Sequence, residues 1–185
     1  MTQSPRQTFQ PITTKVAVPP ARTQIIRRRR AFALLHEQLD LRLNVVLAPA
    51  GFGKTSLLVD FAHDCLARGI PVCWYNLDEQ DSDPLVFLRY LATSLRRRFP
   101  HFGERTFRLL DEARSTLVPD PSLAFSALGT LISELDEQIA DFFVLVLDDY
   151  HVLPADSLVH TLMGLLLTYL PAAAHVILAT RSLPP

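Results

Sequence analysis

Ala48-Pro-Ala-Gly-Phe-Gly-Lys-Thr55 decides the fold of this chain, because of what stands on either side of it. Asn44-Val-Val-Leu47 is a short apolar run that reads as a buried strand. From Lys54 to Leu66, apolar residues fall at Leu57, Leu58, Phe61, Ala62 and Cys65, which is one face of a helix. A strand, a loop of small residues ending in Gly-Lys-Thr and a helix make a phosphate-binding P-loop. Such a loop turns its backbone N–H groups inward, and the helix N-terminus adds partial positive charge beside them. Gly51 and Gly53 permit close backbone approach, Lys54 reaches the β/γ-phosphates, and Thr55 offers its hydroxyl to Mg²⁺. The candidate nucleotide-binding set is therefore Ala48, Pro49, Ala50, Gly51, Phe52, Gly53, Lys54, Thr55 and Ser56. Ala48 stands where the pattern has glycine, a change that is tolerable if the position needs no positive φ. The bland reading, a turn with a solvated lysine, is much the weaker one between such a strand and such a helix.

A P-loop names no reaction by itself, so an acidic partner is needed downstream. Phe142-Phe-Val-Leu-Val-Leu147 is a continuous apolar run ending in Asp148-Asp149, as for a parallel strand buried on both faces. Ligands of open α/β sheets bind at the carboxyl ends of the strands. Asp148 is thus placed to hold Mg²⁺ with Thr55, directly or through water. Asp149 is a candidate to orient or deprotonate an attacking water, with adjacency as its only support. The competing reading makes both aspartates turn caps and leaves Tyr150 and His151 in an ordinary loop. A further strand, His175-Val-Ile-Leu-Ala-Thr180, ends at Arg181. That guanidinium is either a γ-phosphate sensor, being permanently charged, or a surface arginine after a strand; spacing leaves both open.

Composition bounds the rest. The 185 residues suit one domain with a sizeable core, and 49% hydrophobic against 20% charged residues is globular rather than disordered. The net charge of −1 hides an asymmetry: residues 1–30 hold seven Lys/Arg and no acid, leaving 11 basic against 19 acidic groups beyond them. By charge, the body is not a nucleic-acid surface. Cys65 and Cys73 show neither metal spacing nor a disulfide framework, and free buried thiols in a reducing, intracellular setting are expected. Arg27–Arg30 precede an apolar run too short for a secretory signal. No Asp, Glu, Lys or Arg occurs between Asp156 and Arg181, a length that could cross a bilayer. Pro171, His160, His175 and a change of period argue instead for a helix, a turn and a buried strand.

Along the chain, residues 1–24 are rich in Pro, Thr and Gln and read as an extended arm, with residues 25–185 as the domain proper. Arg27–Arg30 lead into a helix over about 31–40; four cations there suggest a nearby anion, although a solvated basic stretch is the plainer reading. Pro71–Leu77 reads as a strand and 78–83 as an acidic loop whose Asp78 could touch nucleotide through water. Asp83-Pro84 caps and starts a helix that buries Phe87, Leu88, Leu91 and Leu95. A short helix is expected around 107–113 and a longer one over 122–139. The pattern is β-α-β-α-α-β-α-β, an α/β fold with a parallel sheet covered by helices on both faces.

The four motifs, in this order, resemble the MalT-type signal-transduction ATPases of the STAND class, which include large ATP-binding LuxR-type transcriptional regulators. The P-loop 48–55 is similar to theirs. Trp74-Tyr-Asn-Leu-Asp-Glu-Gln-Asp-Ser-Asp-Pro84 with Phe87-Leu-Arg-Tyr-Leu91 resembles their second-strand signature, Leu147-Asp-Asp-Tyr-His151 their Walker B segment, and Ala179-Thr-Arg-Ser182 their sensor arginine strand. The likeness covers about residues 15–185. It implies a cytoplasmic P-loop NTPase that binds ATP/ADP with Mg²⁺ and hydrolyses ATP slowly, ADP holding a closed form and ATP an open form that self-associates. It also implies a sensor role for Arg181 and a role for the segment 25–28, Arg28 included, in holding the base. Family members continue with another core strand, inducer-sensing repeats and a DNA-binding helix-turn-helix. The resemblance therefore implies a domain incomplete at its C-terminal end, with the P-loop strand at a sheet edge and no DNA binding by this segment. Two rival readings remain: a P-loop kinase or other phosphotransferase, which would need an acceptor pocket and an arginine-rich lid, and an inactive interaction module that keeps the fold.

Overall fold

A computed structural model describes residues 10–21, 29–114 and 120–184. Helix α1 (Arg29–Glu37) precedes strand β1 (Leu43–Leu47), and α2 (Lys54–Ala67) leads to β2 (Val72–Asn76). Three helices follow, α3 (Pro84–Arg98), α4 (Glu104–Arg114) and α5 (Pro121–Gln138), before β3 (Phe143–Asp148), α6 (Leu158–Tyr169) and β4 (Ala174–Thr180). The connection from β2 to β3 thus holds three helices where the pattern above allowed two, because the short element expected around 107–113 is a full three-turn helix. Helix starts obey local chemistry. Asp83 accepts from the amides of Leu85 and Val86 with Pro84 in the first turn, Asp120 accepts from Ser122 ahead of α5, and Ser157 accepts from Val159 ahead of α6.

All four strands are parallel, in the order β1-β4-β3-β2. Alternation along each strand sorts side chains between two layers. Cys73, Tyr75, Phe143, Leu145, Leu147, Val176 and Leu178 face the layer of α3, α5 and α6, whereas Val72, Trp74, Val144, Val146, Ile177 and Ala179 face α1 and α2. Both faces are therefore covered, as an α/β fold requires. Strands β3 and β4 are buried along their whole length. Strand β1 is a sheet edge, as the resemblance implied, and Val45 and Leu47 are 40% and 48% exposed, so only part of the expected buried strand is buried. The uncharged stretch before Arg181 divides into α6 and β4, and no helix among the described residues is long and apolar enough to cross a membrane.

The segment expected as an extended arm is partly folded. Thr13–Val16 forms a 3-10 turn with Val16 in the core. Lys15 is buried, its Nζ 2.8 Å from both Asp78 Oδ2 and Asp81 Oδ1 and 4.3 Å from the Tyr90 ring centre. A lone lysine in a Pro/Thr-rich stretch carries no local signal of this. The attraction exists only because the fold brings a fully buried Asp81 to it. Further on, Pro19 O lies 2.9 Å from His63 Nε2 of α2.

Helix α4 rests on α5 through one buried carboxylate. Glu134 is fully buried and accepts from the amides of Arg105 (2.9 Å) and Thr106 (3.0 Å) and from the Thr106 hydroxyl (2.6 Å). Burial works against its charge, but the Thr106 hydroxyl, the two amides and the Arg105 charge outweigh it and hold the carboxyl below its ordinary value of 4.5. A lowered folded-state value means that the group's stabilisation is full above the unfolded value and is lost as pH falls through the folded one. Glu134→Ala leaves the two buried donors of Thr106 and the half-buried Arg105 amide unpaired and should cost about 2–3 kcal/mol, or roughly 5–10 °C in Tm. Thermal melts at pH 7 and pH 3 check this: the deficit should be clear at pH 7 and shrink at pH 3.

Candidate nucleotide site

Parallel pairing brings every motif to one rim. Leu47 pairs with Thr180 and Asn76 with Asp148, so the P-loop, Arg181, Asp148-Asp149 and Asp78 all leave the carboxyl edge of the sheet. The P-loop opens beside β4, where the Ala48 amide donates to Thr180 O at 3.3 Å. Gly51 and Gly53 have φ of +76° and +69°, conformations that side chains resist. Gly53 is also the residue from which α2 starts. Ala48 is not among the positive-φ residues, so its methyl meets no backbone objection. Phe52 is 55% exposed at the tip of the loop.

Lys54 is buried, and its Nζ donates to Ala48 O (2.7 Å) and Pro49 O (3.3 Å). The ammonium is held inside the loop mouth by the carbonyls it would leave for phosphate oxygens. Across the rim, Asp148 is fully buried at the end of β3. Its Oδ1 accepts from the Asp149 amide at 2.9 Å, and its Oδ2 is buried with no hydrogen-bond partner. Burial pushes the carboxyl above the ordinary aspartate range; the neighbouring Asp149 charge adds to this, while the Thr55 hydroxyl, the Asp149 amide and Lys54 oppose it. Thr55 thus stands beside Asp148, 93 residues apart in sequence. An orphaned buried carboxylate oxygen next to a hydroxyl fits a hard divalent cation, which takes one or two protein oxygens and completes its shell with phosphates and water. No cluster of three His, Cys, Asp or Glu able to hold a metal alone occurs among the described residues.

Asp149 has φ +57° and ψ +32°, the one non-glycine residue with positive φ among those described. It heads the 3-10 turn Tyr150–Val152, whose Val152 amide donates to Asp149 O at 3.0 Å. Tyr150 points into the core, its hydroxyl 2.9 Å from His160 Nδ1. His151 lies on the site side, its Nδ1 3.8 Å from Asp149 Oδ1. Sequence reasoning gave His151 no role of its own: the motif gave its position but not its direction. Arg181 is exposed beyond β4, and its charge is close enough to oppose protonation of His151, as is that of Lys54. Between them the Thr180 hydroxyl donates to Ser182 O at 2.7 Å and fixes the turn.

One expectation loses its ground. Asp78 is taken up by Lys15 and by the Gln80 amide, so its contact with nucleotide is not needed to explain it. Arg28, the candidate base contact, lies outside the described residues, so the structure places the P-loop, Thr55, Asp148, Asp149 and Arg181 on one rim without it. Cys65 and Cys73 are buried and unpaired with each other, and burial pushes both thiols up to about 12.

No protein-family model matches the chain. Among curated proteins, it is 28% identical over 177 residues to the HTH-type transcriptional regulator MalT of Vibrio cholerae and 30% identical over 177 residues to that of Vibrio parahaemolyticus. The MalT of Serratia proteamaculans is 29% identical over the same length. Each alignment takes in 94% of this chain, and the chain spans 18% of the length of these relatives. Among solved structures, Cdc6p from Pyrobaculum aerophilum superposes with a TM-score of 0.57 at 17% identity, over 90% of this chain and 44% of that one. That likeness concerns the fold alone. Its own parallel sheet and P-loop make this a P-loop α/β fold, and over nearly all its length the chain is similar to the N-terminal part of the MalT-type transcriptional regulators.

Proposed function

We propose that residues 25–185 form the nucleotide-operated switch domain of a signal-responsive transcriptional regulator of the STAND class. It binds ATP or ADP with Mg²⁺ in the cytoplasm and hydrolyses ATP slowly. The reading rests above all on the buried Asp148 carboxylate, whose unpartnered Oδ2 stands beside Thr55 at the mouth of the P-loop. The P-loop amides and Lys54 take the phosphates, Thr55 and Asp148 hold the cation, and Ser56 continues the helix N-terminus behind them. Bound there, Mg²⁺ would neutralise phosphate charge. Asp149 would act as proton acceptor for the attacking water, and Arg181 would meet the γ-phosphate. Presence or loss of that phosphate biases two conformations of the rim, the ATP form favouring self-association. Inducer and DNA are the business of domains outside this chain.

Titration with fluorescent ATP and ADP analogues, alongside a single-turnover hydrolysis assay, tests this. Binding of both nucleotides with slow hydrolysis and no small-molecule acceptor is expected. Rapid transfer to a metabolite would make the chain a phosphotransferase, and absence of binding would make it an inert interaction module. Arg181→Ala removes the charge that meets only the triphosphate, so the ATP-over-ADP preference should shrink about tenfold, equivalent to about 1.4 kcal/mol. A preference equal to the parent's would end the sensor role of Arg181.

A further inference from the structure

His151 belongs to a motif whose other members already have work: Asp148 and Asp149 face the nucleotide, and Tyr150 is locked into the core by His160. With Tyr150 pinned on the inner side, the tight 3-10 turn Tyr150–Val152 sends His151 to the site side. Its side chain is only 12% exposed, and its Nδ1 is buried with no hydrogen-bond partner. Asp149 Oδ1 stands 3.8 Å away, about 1 Å beyond a hydrogen bond. A buried polar nitrogen without a partner is costly, and a strained backbone conformation of Asp149 beside it is costly too. A small side-chain rotation in the nucleotide-bound state would close the gap and give Nδ1 its acceptor.

We infer that His151 is a positioning residue for Asp149, its imidazole donating from Nδ1 to Oδ1 and holding the carboxylate toward the attacking water when ATP is bound. The inference deepens the ATPase reading above and rests on it. The surroundings suit a neutral donor: burial and the Arg181 charge hold the imidazole below its ordinary value, Lys54 acts the same way, and only Asp149 pulls the other way. A neutral N–H orients the carboxylate without cancelling the negative charge that makes it a base.

A hydrogen bond that fixes a reacting group acts on turnover rather than on affinity. The test uses the 185-residue chain, fluorescent ATP for affinity, and single-turnover hydrolysis for rate, with His151→Ala, His151→Asn and each combined with Asp149→Asn. His151→Ala should slow hydrolysis about 10- to 100-fold, with ATP affinity within about twofold of the parent. His151→Asn should restore most of the rate, because its amide nitrogen occupies the place of Nδ1. Combined with Asp149→Asn, His151→Ala should add no further loss, since the group it positions is already gone. Thermal melts of both single variants should stay within a few degrees of the parent, the turn being held by Tyr150.

Equal slowness of the alanine and asparagine variants would overturn the inference, as would independent, multiplying losses in the double variant. A change in ATP affinity with unchanged rate would do the same. These outcomes leave the nucleotide-switch reading standing, whereas a parent chain that fails to bind ATP removes that reading and the inference together. A parent that binds ATP and does not hydrolyse it removes the inference and the hydrolysis part of that reading, and leaves nucleotide binding standing.

Discussion

Lys54→Ala is expected to raise the dissociation constant for ATP at least about 100-fold, equivalent to about 3 kcal/mol. The ammonium is buried in the loop mouth, where it is held by Ala48 O and Pro49 O. Incoming phosphates would exchange two neutral acceptors for charged ones, and a charge-assisted hydrogen bond is roughly twice as strong as a neutral one. Alanine forfeits that exchange and leaves the loop carbonyls facing the phosphates. The fold should survive, because α2 still starts from Gly53 and still buries Leu58, Phe61 and Cys65. Isothermal titration with ATP checks the expectation while circular dichroism monitors the fold. Affinity equal to the parent's in a folded variant would remove the P-loop from the nucleotide site.

The second large effect is on turnover. Asp149→Asn should slow hydrolysis about 100-fold or more while leaving ATP affinity within about threefold, because general-base catalysis commonly contributes 10²- to 10⁴-fold. Asparagine is the choice of substitute for a backbone reason. Residue 149 sits in the left-handed region, which Asn and Asp visit more readily than other side chains. Its amide still donates to Asp148 Oδ1, and its carbonyl still accepts from Val152. The substitution therefore removes the proton acceptor and keeps the turn. Single-turnover hydrolysis at saturating ATP reads the effect directly, and turnover at the parent rate would take Asp149 out of the base role. Asp149→Ala is the poorer variant, since strain at 149 would confuse loss of chemistry with loss of the turn.

Legibility followed distance along the chain. The P-loop could be read because strand, loop and helix are contiguous and each announces itself within a few residues: the apolar run before Ala48, the glycines at 51 and 53, the helical spacing after Lys54. Helix starts at Asp83-Pro84 and Asp120-Pro121 obey equally local chemistry. Strands β3 and β4 were plain as unbroken apolar runs, because strands covered on both faces have no polar face to show. What went wrong was also a matter of range. The arm looked extended from its prolines, yet Lys15 finds Asp81 66 residues away and folds its neighbours into a turn. Helix α4 looked short because few of its residues are apolar; its first turn is held by Glu134, a residue of another helix.

By itself, the sequence determined that this is an α/β chain with a phosphate-binding loop, two acids after a buried strand and an arginine after another. Backbone preference, capping and periodicity act over a few residues, so they are legible without any fold. The edge place of β1 and the meeting of Thr55 with Asp148 were expected from the motifs and their resemblance; only the tertiary structure decided the full strand order β1-β4-β3-β2 and the complete burial of Asp148. It alone turned His151 toward Asp149 and Lys15 toward Asp81. Those meetings depend on how helical crossovers stack onto a parallel sheet and on burial that makes each polar group seek a partner, and no local pattern carries either.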